Sequence, residues 1–306
     1  MSSVKQIGDY TLGHEVGKGS FGTVNIAKNK NNESFAIKTI SLSLIDQSGL
    51  RIQLKREISI LRRMDHPNVV RLIDVLRNKH YVYLITEYVD GGDLFDLLSS
   101  KGQFTEAEAR PIFEQIVTGV SYCHSLNIIS RDMKVENVLL TKDHQVKICD
   151  FGFAQICDDG KFMETVCGTP NYLPPEILRH EPYTAAVDVY SSIVILFHMC
   201  AGRLPFDEDS NDVMFNKICK MDYVMPSHFS TELKDLVERG FKINGADRIK
   251  LTEVQDHAWL HMKDVAFSAV VKSPSMTRKQ TLPNYSSAET FQVQDLFDAT
   301  RRFRKY

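Results

Sequence analysis

The 306-residue chain carries 37 Lys+Arg against 39 Asp+Glu, a formal charge of −2, with 43% hydrophobic and 25% charged residues. That composition excludes wholesale disorder, and the charge balance argues against a dedicated nucleic-acid binder. The length suits one large domain or two lobes. No apolar run approaches the ~18 residues of a membrane span, so no membrane attachment is expected. The opening M-S-S-V-K-Q has no signal-peptide core, and Ser2 is not the glycine that N-myristoylation requires. The 6 Cys are scattered and form no C-x-x-C pair. Neither a zinc site nor a disulfide framework is indicated, and a reducing cytoplasmic or nuclear setting fits.

The first ninety residues read as strands with one helix. Tyr10 to Val16 ends in a Gly-rich turn, Thr23 to Ala27 resumes the strand pattern, and N-K-N-N at 29–32 signals a hairpin turn. Ser34 to Ile40 alternates as a strand. Leu50 to Met64 has Leu54, Ile58 and Leu61 at helical spacing, stopped by Asp65-His66-Pro67-Asn68. Strand-like runs follow at Val69 to Leu76 and Tyr81 to Tyr88. After Gly91-Gly92 the texture turns helical. Thr105 and Glu108 form a capping box for a helix to about His124. Further helices are expected at Ala185 to Ala201, Asn211 to Lys220, Thr231 to Phe241 and Thr252 to His257. From about 262 the text becomes irregular, and residues 262–306 hold 8 Lys/Arg and 4 Asp/Glu. A mildly acidic body thus carries a basic, flexible tail, with a last helix expected at about Thr290 to Arg302.

The chemistry-bearing residues stand in order. G-K-G-S-F-G at 17–22 puts Gly17, Gly19 and Gly22, then Val24, between two strands. Three glycines there let backbone N–H groups approach phosphate oxygens, though a tight hairpin needs glycine too. The strand that follows counts against a dinucleotide site, which needs a helix there. Lys38 lies in an apolar strand, and Glu57 lies on the core-facing side of the helix. An inward Lys is costly unless paired, so the two are expected to form an ion pair that grips phosphate. S-R-D-M-K-V-E-N at 130–137 places Asp132, Lys134 and Asn137 in one loop, and C-D-F-G brings Asp150 13 residues after Asn137. One carboxylate can hold a hydroxyl; a second carboxylate and a carboxamide can hold Mg²⁺ through oxygen.

This ordered set resembles the eukaryotic protein kinase family over about residues 10–261, in its serine/threonine branch. The D-M-K at 132–134 and G-T-P-N-Y at 168–172 point to that branch. H-P-N-V-V-R-L, E-Y-V-D-G-G-D-L-F and E-T-V-C-G-T-P-N-Y are similar to the AMP-activated and calcium/calmodulin-dependent kinase group. The resemblance implies an α+β, two-lobed fold: a small antiparallel β lobe with one helix at 10–88 and a mainly helical lobe at 89–261, with ATP and Mg²⁺ between them. It implies that Gly17, Gly19, Gly22 and Val24 cover the nucleotide and that Lys38, paired with Glu57, contacts its phosphates. Glu87 and Val89 meet adenine, beside Thr86. Asp132 takes the substrate proton, Lys134 neutralises the moving phosphoryl group, and Asn137 and Asp150 hold Mg²⁺. Glu176 pairs with Arg248. Thr165 is the site of activating phosphorylation by an upstream kinase, with Arg131 as the phosphate's partner. Thr169 lines the peptide site and bonds Asp132 and Lys134. Asp93 and Glu136 read a basic residue upstream of the target. The implied partners are protein substrates bearing Ser or Thr, and a monomer is expected.

The chain departs from the family pattern at several points. Ser130 stands where His is usual, under Phe151, and leaves volume unfilled in a hydrophobic column that includes Leu61 and Leu72. Val135, Pro174, Tyr190 and Ile193 replace the usual Pro, Ala, Trp and Gly. None of these removes a phosphate, metal or proton-handling group, so an active enzyme is expected. The alternative is a weakened kinase-fold scaffold or binding module. Cys149 and Cys167 read as structural thiols. R-K-Q-T at 278–281 reads as a basic linker with an incidental Thr.

Overall fold

The computed structural model describes residues 5–19, 22–157, 163, 167–262 and 289–290. They fall into two compact units: one runs to Asp65 and takes in Val70–Val89 and Glu289–Thr290, and the other comprises His66–Val69 and the described residues from Asp90 to Met262. No helix among the described residues is long and apolar enough to cross a membrane.

The first unit holds β1 (Gln6–Ile7), β2 (Tyr10–Gly19), β3 (Gly22–Lys28), β4 (Ser34–Ser41), α1 (Leu42–Gln47), α2 (Arg51–Leu61), β5 (Leu72–Arg77) and β6 (Tyr81–Glu87). Its sheet is antiparallel in the order β1-β2-β3-β4-β6-β5. The turn between β3 and β4 forms because the Asn29 side chain accepts the N–H groups of Asn31 and Glu33, while Asn32 adopts φ +64°. Strand alternation sends Ala27, Ile37, Tyr83 and Ile85 into a core with Ile7 and Leu76. On α2 the apolar stripe Leu54, Ile58 and Leu61 is buried as its spacing predicts, and Glu57 is buried beside it.

One helix was expected here, and a second, α1, precedes it. Its six residues are too short to display a helical period, and Ser41 starts it by accepting the Leu44 N–H. The strand expected from Val69 begins only at Leu72.

The second unit holds α3 (Leu94–Lys101), α4 (Glu106–Ser125), β7 (Ile128–Ile129), β8 (Val138–Leu140), β9 (Val146–Ile148), β10 (Gln155–Ile156), α5 (Pro175–Leu178), α6 (Ala186–Ala201), α7 (Asn211–Lys220), α8 (Thr231–Gly240) and α9 (Leu251–Gln255). The capping box of Thr105 and Glu108 opens α4. Helix α6 is buried along almost its whole length, from Val187 to Cys200. Ile193 is accommodated by a glycine on the facing helix. A Cβ on Gly240 would lie 2.4 Å from the Ile193 side chain. The two-stranded ladder β8–β9 follows the loop at 130–137, and β7 pairs with β10.

A further strand, β11 (Glu289–Thr290), pairs with β5 and belongs to the first unit. The remaining expectations for the tail, R-K-Q-T and the last helix beyond Thr290, lie outside the described residues.

Candidate active site

In the first unit, strand register sets one row of the site. Gly17 pairs with Val24, Val24 with Lys38, and Lys38 with Leu84, so Val24 and Lys38 share a face. Ala36 and Thr86 lie on that face one pair along. Lys38 Nζ meets Glu57 Oε1 at 2.8 Å, with the carboxylate 9% and the lysine 32% exposed. The helix thus delivers a buried carboxylate that holds the ammonium group on the strand face.

Two of the glycines differ in what packing asks of them. A Cβ on Gly22 would overlap the Thr39 carbonyl oxygen at 1.6 Å, so β3 and β4 approach only because the residue is glycine. On Gly17 an added Cβ would make ordinary contact with Val24 at 3.7 Å, so packing within the unit does not demand glycine there. Gly19 ends β2.

Glu87 closes β6, its carboxylate accepting the Arg71 N–H at 2.8 Å, and Val89 is buried just beyond. A groove of about 620 Å³ runs along Glu33–Phe35, Arg71–Ile73, Glu87 and Tyr88. Of the residues expected to meet the nucleotide, Glu87 is the one that lines it.

In the second unit the loop at 130–137 is strung from α6. Asp188, fully buried, accepts the backbone N–H groups of Ser130 and Arg131, each at 2.8 Å, and the ring of His124 at 2.9 Å. Those bonds carry Arg131 through φ +65° and turn the next residue, Asp132, inward. Asp132 is 5% exposed and is met by three donors. The Thr169 hydroxyl donates to Oδ1 at 2.9 Å, Lys134 Nζ lies 3.0 Å from Oδ2, and Asn137 Nδ2 lies 3.1 Å from Oδ2. Lys134 also donates to Thr169 Oγ1 at 2.8 Å. A carboxylate, an ammonium group and an alcohol thus close a triangle.

Asn137 Nδ2 donates as well to the Asp132 carbonyl at 2.7 Å. With its amide nitrogen engaged, its oxygen is the atom left to face a cation. Asp150 is exposed, at φ +57°, next to buried Phe151. Its carboxylate accepts the Gly152 N–H, and the neighbouring Cys149 N–H donates to the Asn137 carbonyl at 2.9 Å. The chain around Asp150 is therefore tied to the loop that holds Asn137. The donor set, one carboxylate and one carboxamide oxygen, fits a hard cation such as Mg²⁺ that keeps water and phosphate for its remaining positions.

Thr169 is delivered by a close approach. Gly168 sits at φ +113°, and a Cβ there would lie 2.7 Å from the Arg131 carbonyl oxygen. Glu176 and Arg248 form a bidentate buried pair, 2.9 and 3.1 Å, and Arg248 also bonds the carbonyls of Ala186 and Lys242. The Tyr190 ring covers the guanidinium at 5.2 Å. Asp93 caps α3 by accepting the Asp96 N–H at 2.8 Å. Burial first, then the charges of Asp96 and Glu136, raise its pKa. Glu136 is exposed. Burial also pushes the Cys167 thiol up, against the opposing pull of Arg131. Ser130 is buried. Thr165 lies outside the described residues.

Asp188, His124 and Tyr183 were not read from the sequence. The signal for Asp188 was present: it is the one Asp, Glu, Lys or Arg in the apolar stretch Ala186–Ala201, and an acid in such a helix needs buried partners.

Residues 10–260 match the family model of the protein kinase domain. This chain belongs to the protein kinase family. It is similar to the SNF1-related protein kinase catalytic subunit alpha KIN12 of Arabidopsis thaliana, 40% identical over 83% of this chain and 51% of the relative. CBL-interacting serine/threonine-protein kinase 8 of the same plant is 41% identical over 85% of this chain and 59% of its own length. Serine/threonine protein kinase OSK3 of Oryza sativa subsp. indica is 39% identical over 86% and 52%. The chain spans between half and three-fifths of these relatives. Two of these relatives are named serine/threonine protein kinases, the branch that the D-M-K and G-T-P-N-Y motifs imply, and the α+β kinase fold is the one observed.

Proposed function

We propose that this kinase transfers the γ-phosphoryl group of ATP to Ser and Thr hydroxyls of proteins. The triangle of Asp132, Lys134 and Thr169 carries the reading. It holds an alcohol oxygen 2.9 Å from the carboxylate and 2.8 Å from the ammonium group. A substrate hydroxyl needs the same two partners, one to fix its direction and take its proton, the other to offset charge on the moving phosphoryl group. Bound Mg²⁺ would supply charge neutralisation on the phosphate oxygens, with Asn137 and Asp150 as its protein ligands. Lys38, steadied by Glu57, contacts the α- and β-phosphates, under backbone from Gly17, Gly19 and Gly22. Val24, Glu87 and Val89 bound the adenine. Mass spectrometry of a mixed Ser, Thr and Tyr peptide library after incubation with ATP and Mg²⁺ is the test. Phosphate on Ser and Thr is expected; phosphate released only to water would overturn the reading.

Two finer features belong to the same proposal. A phosphate on Thr165, placed by an upstream kinase, would find Arg131 as its cation. Thr165→Ala then lowers peptide phosphorylation about 5- to 100-fold; a fully active variant contradicts the switch.

Asp93 and Glu136 favour a basic residue upstream of the target hydroxyl. Because the Asp93 pKa is raised, its charge is lost at a higher pH than an ordinary carboxylate's as pH falls. The preference for Arg over Ala in the peptide should therefore shrink on going from about pH 8 to about pH 5. Paired Asp93→Asn and Glu136→Gln changes should raise KM for the basic peptide about three- to tenfold at the upper pH. Equal KM values for the two peptides at every pH would contradict it.

A further inference from the structure

The Arg131 side chain is already held, and by uncharged partners. Its Nε donates to the Phe153 carbonyl at 2.8 Å, and its Nη1 donates to the Tyr183 hydroxyl at 3.0 Å. Phe153 stands three residues beyond Asp150, so the guanidinium fastens the chain that carries that carboxylate. Its own backbone N–H is fastened to Asp188.

Tyr183 is 3% exposed and packs among Ile129, Met163, Leu173, Ile177 and Val187. It also exchanges two backbone hydrogen bonds of 3.0 Å with Met163, and its hydroxyl and the Cys167 thiol influence each other's titration. One residue thus meets the Arg131 guanidinium through its hydroxyl and shares an apolar cluster with Leu173, four residues beyond Thr169.

We propose that Tyr183 is a positioning residue: its hydroxyl is a built-in ligand of Arg131 that keeps the loop at 130–137 and the Thr169 stretch in register without a phosphate. The proposal rests on the kinase reading for its effect on rate, but the positioning itself is a property of the fold. The ring fills a buried site and the hydroxyl makes the bond, so the two contributions separate. Tyr183→Phe keeps the packing and removes the bond.

The measurement uses the 306-residue chain, unphosphorylated, with a Ser/Thr peptide, ATP and Mg²⁺. Tyr183→Phe should lower kcat about tenfold while KM for ATP and the melting midpoint stay at wild-type values. In an Arg131→Met background the same change should have no further effect. Hydrogen exchange, read without any turnover, should quicken at the amides of 130–137 and at Met163 in Tyr183→Phe, and remain unchanged in α8. Wild-type kcat and exchange in Tyr183→Phe would overturn the proposal. So would a loss additive to that of Arg131→Met, or a fall in melting midpoint in proportion to the fall in rate. A wild-type chain that phosphorylates no peptide would instead refute the kinase reading, and the exchange comparison would still decide the role of Tyr183.

Discussion

Asp132→Asn lowers peptide phosphorylation by about 10²–10⁴-fold and leaves nucleotide affinity unchanged. The carboxylate is met by three donors, from Thr169, Lys134 and Asn137. A carboxamide offers one acceptor oxygen and turns an N–H group toward at least one of those donors. On the proposed reading the variant therefore loses both the proton acceptor and the arrangement that aims the hydroxyl. Lys38 and Glu57, which hold each other in the other unit, are untouched, so ATP binding measured by calorimetry should match the wild type. Turnover within twofold of wild type would sink the assignment of Asp132.

Arg248→Ala destabilises the protein by about 3–5 kcal/mol. The guanidinium is fully buried and meets Glu176 through two hydrogen bonds, while two further bonds satisfy the carbonyls of Ala186 and Lys242. Its removal leaves a buried carboxylate and two carbonyls without their donor. At roughly 2–4 °C per kcal/mol for a chain of this class, the melting midpoint should fall by about 6–20 °C. Glu176 and Arg248 together changed to Gln and Met should recover part of that loss, since no uncompensated charge remains. A midpoint unchanged in Arg248→Ala would mean that the pair contributes nothing to the fold.

The strands and the long helices were readable because each shows its period over enough residues. Ser34–Ser41 carries Phe35, Ile37 and Thr39 on one strand face, of which Ile37 and Thr39 are buried, and Glu106–Ser125 repeats over five turns behind a capping box. Helix α1 was missed because six residues cannot display a period. Helix α3 was missed because it follows two glycines and begins on a capping Asp93 that reads equally well as a loop acid.

The charged residues of the site were legible from cost: an inward Lys and an inward Glu implied each other, and the structure joins them at 2.8 Å. What stayed hidden was the support behind the loop. Asp188, His124 and Tyr183 lie 50 or more residues from some of the groups they hold, and no local spacing links such partners. In the sequence Tyr190 shows only as a departure from the Trp that the resemblance implies. In place its ring covers the Arg248 guanidinium as an aromatic face.

The central claim, that the Asp132–Lys134–Thr169 corner directs a phosphoryl group onto an alcohol, is tested most directly with γ-labelled ATP and a Ser/Thr peptide bearing an upstream Arg. Label should pass to the peptide hydroxyl in the presence of Mg²⁺ and stop when the ion is chelated. A purified chain that binds ATP yet transfers no label to this peptide, or to any protein offered, would contradict the account.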